Sequence, residues 1–188
     1  MENILKQLML NPPQNGIFYT IAIDGRAGSG KTTLAMRLQN LLPDFVHLNG
    51  DDYFEPKKDK LVWGAFNDER FIKEVVEPLQ KGNSFIYRPY DWHADPPITE
   101  RKIVVNHGIC LERCYSFRFD LAWDLKIWVE TPRELCLQRG LAREKLPKKT
   151  VLRTWQEVWQ PLEDKYITET KPRHHADIVI DGTKPFEF

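Results

Sequence analysis

The sequence predicts an α/β fold in three layers, with helices on both faces of a mostly parallel sheet. Three observations predict it. Short apolar runs alternate along the chain with segments of helical periodicity, the rhythm that parallel strands joined by crossover helices produce. Two of these runs, Ile103 to Val105 and Leu125 to Val129, show no polar alternation, as central strands covered on both faces require. The stretch Thr20 to Met36, TIAIDGRAGSGKTTLAM, sets a glycine-rich turn between an apolar strand and a helix.

In that stretch Gly25 and Gly30 are followed by Lys31 and Thr32, completing the pattern G-x-x-x-x-G-K-[ST]. The run Ile17 to Ile23 is the strand that delivers the turn to a sheet edge. Gly25, Gly28 and Gly30 let the backbone curl so that successive N–H groups point inward at a polyphosphate. Gly25, Arg26, Ala27, Gly28, Ser29, Gly30, Lys31, Thr32 and Thr33 are therefore expected to wrap a nucleoside triphosphate. Lys31 supplies a mobile charge for the outer phosphates, the helix start adds its positive end, and the Thr32 hydroxyl is placed for Mg²⁺. The three-layer fold is thus expected in its P-loop NTPase form.

Length and charge set the outer bounds. The 188 residues suit one domain, 1–188, with a substantial core. The 27 basic and 27 acidic side chains cancel, so no global field favours nucleic acid or an anionic membrane. No apolar run approaches the ~18 residues of a membrane span, and the start, MENILKQLML, lacks a cationic leader pattern. A cytoplasmic protein is expected. Cys110, Cys114 and Cys136 lack paired metal-ligand spacing and read as reduced thiols.

In chain order, Glu2 to Leu10 is a short amphipathic segment stopped by Asn11-Pro12-Pro13 and expected to cover a sheet edge or pack on the core. After the loop, Leu34, Ala35, Leu38, Leu41 and Leu42 recur at helical spacing until Pro43. A second strand, Phe45 to Leu48, leads into Asn49-Gly50-Asp51-Asp52-Tyr53-Phe54. Ligand groups in parallel α/β folds gather beyond the carboxyl ends of strands, which puts both aspartates beside the phosphates. Glu55 to Asn67 reads as a loop, Asp68 to Gln80 as a helix, and Ser84 to Tyr90 as a short strand followed by a Trp-, Pro- and Asp-rich loop. Beyond the strands at 103–105 and 125–129, Thr131-Pro132-Arg133-Glu134 has the form of a capping box opening a helix to about Arg143. A helix from Thr150 to about Thr168 and a strand Ala176 to Ile180 complete the chain.

The blocks GRAGSGKTTLA, GDDYF, YDW, VVNHGI, KIWVETPRELCLQRGLARE and ADIVIDG, in this order, resemble the uridine kinase branch of the uridine kinase and phosphoribulokinase family. The resemblance covers nearly the whole chain. It implies ATP- and Mg²⁺-dependent phosphorylation of a hydroxyl on a small metabolite, with the 5′-hydroxyl of uridine or cytidine first among acceptors. Nicotinamide riboside, pantothenate or a sugar are the alternatives within the kinase class, because the fold and loop are shared and the acceptor pocket is not. A nucleotide-binding regulator without catalysis is the alternative outside it. The oligomeric state is open, a homo-oligomer included.

Phosphoryl transfer needs in-line oxygens, neutralised charge and a destination for the acceptor proton. Asp51 is the candidate base and acceptor contact, matching the aspartate of the family's motif, and Asp52 is expected to assist the metal or hold a basic neighbour. Arg139 and Arg143, four apart and so on one helix face, match the family's lid arginines, with the lid spanning approximately 139–150. Tyr53, Tyr90, Asp91 and Trp92 are expected around the acceptor, the rings to stack on a base and Asp91 or Arg88 to fix the sugar or base edge. The resemblance also leads to an acidic residue directly before a glycine at the end of the 103–105 strand, where this chain has Asn106-His107-Gly108. Imidazole does not replace a carboxylate around Mg²⁺, so Asp24, Asp51 or Asp52 is expected to take over, or activity or substrate to differ.

Overall fold

The computed structural model describes residues 1–53, 66–90, 100–143 and 152–186. The strands are β1 Tyr19–Gly25, β2 Phe45–Asn49, β3 Ser84–Tyr87, β4 Arg101–Val104, β5 Gly108–Glu112, β6 Leu125–Glu130 and β7 Ile178–Asp181. Five of them form a parallel sheet in the order β2-β5-β1-β6-β7, while β3 and β4 pair antiparallel as a separate hairpin. The longer helices are α1 Glu2–Leu8, α2 Lys31–Leu41, α3 over 68–81, α4 Arg133–Arg143 and α5 over 152–170; α3 and α5 each contain a wider π-helical turn.

Alternation along the strands builds the layers. Ile21 and Ile23 of β1, Cys110 of β5 and Ile127 of β6 face a core shared with Leu5 of α1 and with Leu34, Ala35 and Leu38 of α2. Ala22, Ile109 and Leu111 face the opposite core, with Phe71, Val75 and Leu79 of α3, Phe85 and Tyr87 of the hairpin, and Trp123. The amphipathic amino-terminal segment thus packs on the sheet through Leu5, as its periodicity predicts.

One strand lies elsewhere than the sequence reading puts it. The apolar run 103–105 does not enter the main sheet; Ile103 and Val104 pair with Phe85 and Ser84 in the hairpin. The central strand is the next segment, Gly108–Glu112, which pairs with β1 on one side and β2 on the other. Its apolar run is only Ile109-Cys110-Leu111, so three β-branched residues just upstream outweigh it in any propensity reading. Gly108 is required there because a Cβ would lie 2.2 Å from the Phe45 ring of the neighbouring strand.

The registers align the carboxyl ends. Ile23 stands opposite Glu112, and Glu112 opposite Asn49. One step beyond this line come Asp24, Gly50 and Arg113, so the phosphate loop, the Asp51 turn and the Glu112 carboxylate issue from adjacent strands at the same edge.

Candidate active site

Between β1 and α2 the loop glycines adopt conformations with positive φ, and Gly28 is the tightest: a Cβ there would meet the Cys136 carbonyl oxygen at 2.4 Å. The first α2 main-chain bond runs from Leu34 N to Gly30 O, so the amides of 31–33 precede the helical ladder and face the loop's concavity. Ser29 is buried at the back, its carbonyl accepting from the Thr131 hydroxyl at 3.0 Å and from Arg139 Nη1 at 3.4 Å. Thr131, read as a helix cap, therefore spends its hydroxyl on the phosphate loop.

Lys31 is 7% exposed and folds back on the loop, its Nζ donating to Gly25 O at 3.0 Å, Arg26 O at 2.9 Å and Cys114 Sγ at 3.3 Å. Burial alone lowers the ammonium's affinity for its proton, but the hydrogen bond to Cys114 Sγ and the carboxylates of Glu112, Glu163 and Asp24 outweigh burial and hold it above the ordinary lysine range. It stays a cation. Cys114 is a thiol, pushed up to about 12 by burial.

Glu112 closes the constellation. It is 3% exposed and accepts from the Thr32 hydroxyl at 3.0 Å. Burial, with a contribution from the Asp51 charge, pushes its carboxyl up to about 7, against the pull of Lys31, Thr32 and Arg143. Sequence reasoning missed Glu112 because it took the wrong strand as central. The acidic residue expected after that strand is present, followed by Arg113 where a glycine was expected. Asn106 and His107 are at the other end of the sheet, where the His107 carbonyl accepts from Tyr19 N at the start of β1. The apparent departure at His107 is thereby corrected: the acidic side chain at the end of the central strand is Glu112, in contact with Thr32.

Asp51 lies in the turn Gly50–Tyr53 directly after β2, its side chain exposed and its amide donating to Asn49 Oδ1 at 2.9 Å. Its charge is felt at both Glu112 and Arg113. The turn is seated against β5, since a Cβ at Gly50 would lie 2.2 Å from Arg113 Cβ. The Arg113 guanidinium is itself buried, pairing with Asp68 at 3.0 Å and lying 4.3 Å from the Phe66 ring centroid.

Other expected residues separate. Asp52 turns away from Thr32, accepting from the Tyr87 hydroxyl at 3.1 Å, with its carboxyl raised by burial; it belongs with Tyr87, Arg70 and Arg101, so the structure pairs Glu112 rather than Asp52 with Thr32. Tyr53 is fully buried, stacked on Tyr87, edge-on to Phe71 and covered by Arg70, so its faces are not open to an acceptor ring. Asp24 is also fully buried and accepts from Gly25 N, Tyr115 N, Phe117 N and Tyr166 Oη; it braces the strand end and is not available to a metal. Tyr90 is half-buried and its amide donates to Asp52 O, while Asp91 and Trp92 lie outside the described residues. Arg139 donates to Gly182 O at 2.8 Å behind the loop, whereas Arg143 is exposed, and its charge slightly favours the ionised form of Glu112. Of the lid at 139–150, residues 144–150 lie outside the described set.

No family model matches the chain. It is similar to the uridine kinase of Borrelia hermsii, 26% identical over 182 residues that cover 88% of this chain and 82% of that protein. It is similar at the same level to human nicotinamide riboside kinase 1, 27% identical over 180 residues covering 90% and 86%. In fold it is similar to the structure of a possible uridine kinase from Bacillus stearothermophilus, with a TM-score of 0.68 at 18% identity over 96% of this chain and 97% of that one. The phosphate loop, the Thr32–Glu112 contact and the strand order are thus accompanied by likeness in sequence to a uridine kinase and a nicotinamide riboside kinase, and in fold to a possible uridine kinase.

Proposed function

We propose that the protein transfers the γ-phosphoryl group of ATP to the 5′-hydroxyl of a ribonucleoside, with uridine and cytidine the primary acceptors. The observation that carries this reading is the contact of Thr32 with the Glu112 carboxylate beside Lys31, at the strand edge from which Asp51 also projects. The loop amides and the positive end of α2 hold the phosphates. Lys31 leaves the carbonyls of Gly25 and Arg26 for the outer phosphates, a short movement for a flexible side chain. Asp51, exposed across from the loop, accepts a hydrogen bond from the attacking hydroxyl and takes its proton as the bond to phosphorus forms. Arg143 approaches from the lid.

Mg²⁺ fits the donor set. Thr32 and Glu112 offer two oxygens, and among the described residues no group of three or more His, Cys, Asp or Glu side chains is suited to hold a metal alone. That suits an ion that binds through one or two protein oxygens plus substrate phosphates. When bound, it neutralises charge on the transferring group.

A second acceptor, nicotinamide riboside, is favoured by the equal likeness to human nicotinamide riboside kinase 1. It shares the ribose 5′-hydroxyl and differs in the base. The reading as an inactive regulator lost its one sequence support when Glu112 took the place ascribed to His107. Acceptors are separated by ADP release across uridine, cytidine, nicotinamide riboside, pantothenate and simple sugars, with the product's phosphate position assigned by ³¹P NMR. Turnover of a riboside at its 5′-oxygen is expected; turnover confined to pantothenate or sugars would overturn the nucleoside reading.

A further inference from the structure

The phosphate loop is gripped by a helix whose side chains lie outside the group of residues assigned above to the phosphates and the acceptor. Glu163 of α5 is 3% exposed, and its Oε1 accepts from Ala27 N at 2.8 Å. Its Oε2 lies 3.5 Å from Arg26 Nη1, and Arg26 Nη2 pairs with Asp164 at 2.6 Å. Three residues further, the Tyr166 hydroxyl donates to Asp24 at 2.6 Å. The same helix reaches the start of α4, where Gln160 Nε2 donates to Arg133 O at 3.2 Å and Asp164 lies 3.3 Å from Arg133 Nε. One helix thus touches the entry to the loop, its crest and the base of α4.

Burial decides which side of the loop Glu163 holds. The phosphate side must open to solvent to admit a nucleotide, and Thr32 there is exposed. A carboxylate that is almost wholly buried grips the crest from the protein side. Its charge would oppose an anion nearby, but Arg26 faces it and burial pushes its carboxyl up to about 7, so the repulsion is reduced.

We propose that Glu163 is a positioning residue that fixes the Ala27 peptide and Arg26, so that the loop is formed before the nucleotide arrives. The proposal rests on the reading of this loop as an ATP site. What matters is the reach of an acceptor oxygen to Ala27 N, not its charge. Glu163→Gln keeps the reach and loses the charge; Glu163→Asp keeps the charge and withdraws the oxygen by about one carbon–carbon bond. The measurements are ATP affinity by calorimetry, KM for ATP, KM for the acceptor, kcat at saturation, and melting temperature.

Glu163→Asp is expected to weaken ATP binding about tenfold and raise KM for ATP likewise, with kcat and acceptor KM within about twofold, because only preorganisation is lost. Glu163→Gln is expected to stay within about threefold of wild type in all of them. Wild-type ATP affinity in Glu163→Asp, or equal weakening in both variants, would overturn the role. A merely structural residue would lower the melting temperature without separating the two KM values. Lys31→Met tests the kinase reading by itself: wild-type protein that binds no ATP would overturn that reading and this one together, whereas ATP binding lost only on Lys31→Met leaves Glu163 to be judged by its own two variants.

Discussion

At the level of single residues, the site separates charge that must be exposed from charge that must be buried. Asp51 is exposed, as the proposed contact with an acceptor requires; Glu112 is buried and meets Thr32. Asp51→Asn is therefore expected to lower kcat by about 10²- to 10⁴-fold while KM for ATP moves less than threefold, since a base is lost and no phosphate contact is. Glu112→Gln is expected to raise the Mg²⁺ concentration needed for half-maximal rate, measured by titration at fixed ATP. Stability carries its own signature. The carboxyl of Glu163 is raised from 4.5 to about 7, mainly by burial, so its contribution is fully present below about pH 4.5 and is lost as pH rises through 7. Glu163→Gln should remove that slope, a differential of about 3 kcal/mol between pH 4.5 and pH 8, read by denaturant unfolding of the nucleotide-free protein. The loop formed by the glycines, Lys31 and Thr32 is legible because its pattern is written in local spacing, and the place of Asp51 is legible because it directly follows a strand. Glu112 and Glu163 are not: their surroundings come from Thr32, 80 positions away, and from Ala27, 136 away. Tyr53 was misread for the same reason, since no local signal separates an aromatic that faces a ligand from one that stacks on Tyr87.

At the level of elements, α4 and α5 flank residues 144–151 in the sequence and are pinned together. Gly140 lets the fully buried Trp155 ring seat on α4, where a Cβ would lie 2.2 Å from the ring. Gly140→Ala would gain about 1 kcal/mol of helix propensity but force a ring with no room to retreat, at about 1–3 kcal/mol. The clash wins or at least cancels the gain. Loss of up to ~2 kcal/mol of stability is expected, with a changed intrinsic Trp fluorescence that a pure propensity effect would not produce. The helix starts and the alternation of strands with helices followed from the sequence because each element carries its own periodicity. The exchange of 103–105 for Gly108–Glu112 shows where that logic ends: both segments are strands, and only pairing partners decide which enters the sheet. A glycine facing Phe45 gave the central strand no propensity signal, although it is what lets the strand fit.

Over the whole molecule, β5 and β1 carry Glu112 and the loop side by side, and α5 braces the loop from behind, so nucleotide binding should stiffen the structure as a unit. A ligand that binds only the folded state adds RT ln(1 + [L]/Kd), about 2.7 kcal/mol at a hundredfold excess over Kd. For a domain of this size each kcal/mol raises the melting temperature by roughly 2–4 °C, so magnesium-ATP should raise it by about 5–10 °C. Lys31→Met should abolish the shift, because an ammonium among Glu112, Glu163 and Asp24 is the chief cation available to the phosphates at the loop. The formal net charge is zero, so oligonucleotides carrying the same phosphate concentration should give no comparable shift. A shift that survived Lys31→Met, or that any polyanion reproduced, would mean that general anion binding, and not the cradle of amides between Gly25 and Thr32, holds the phosphates.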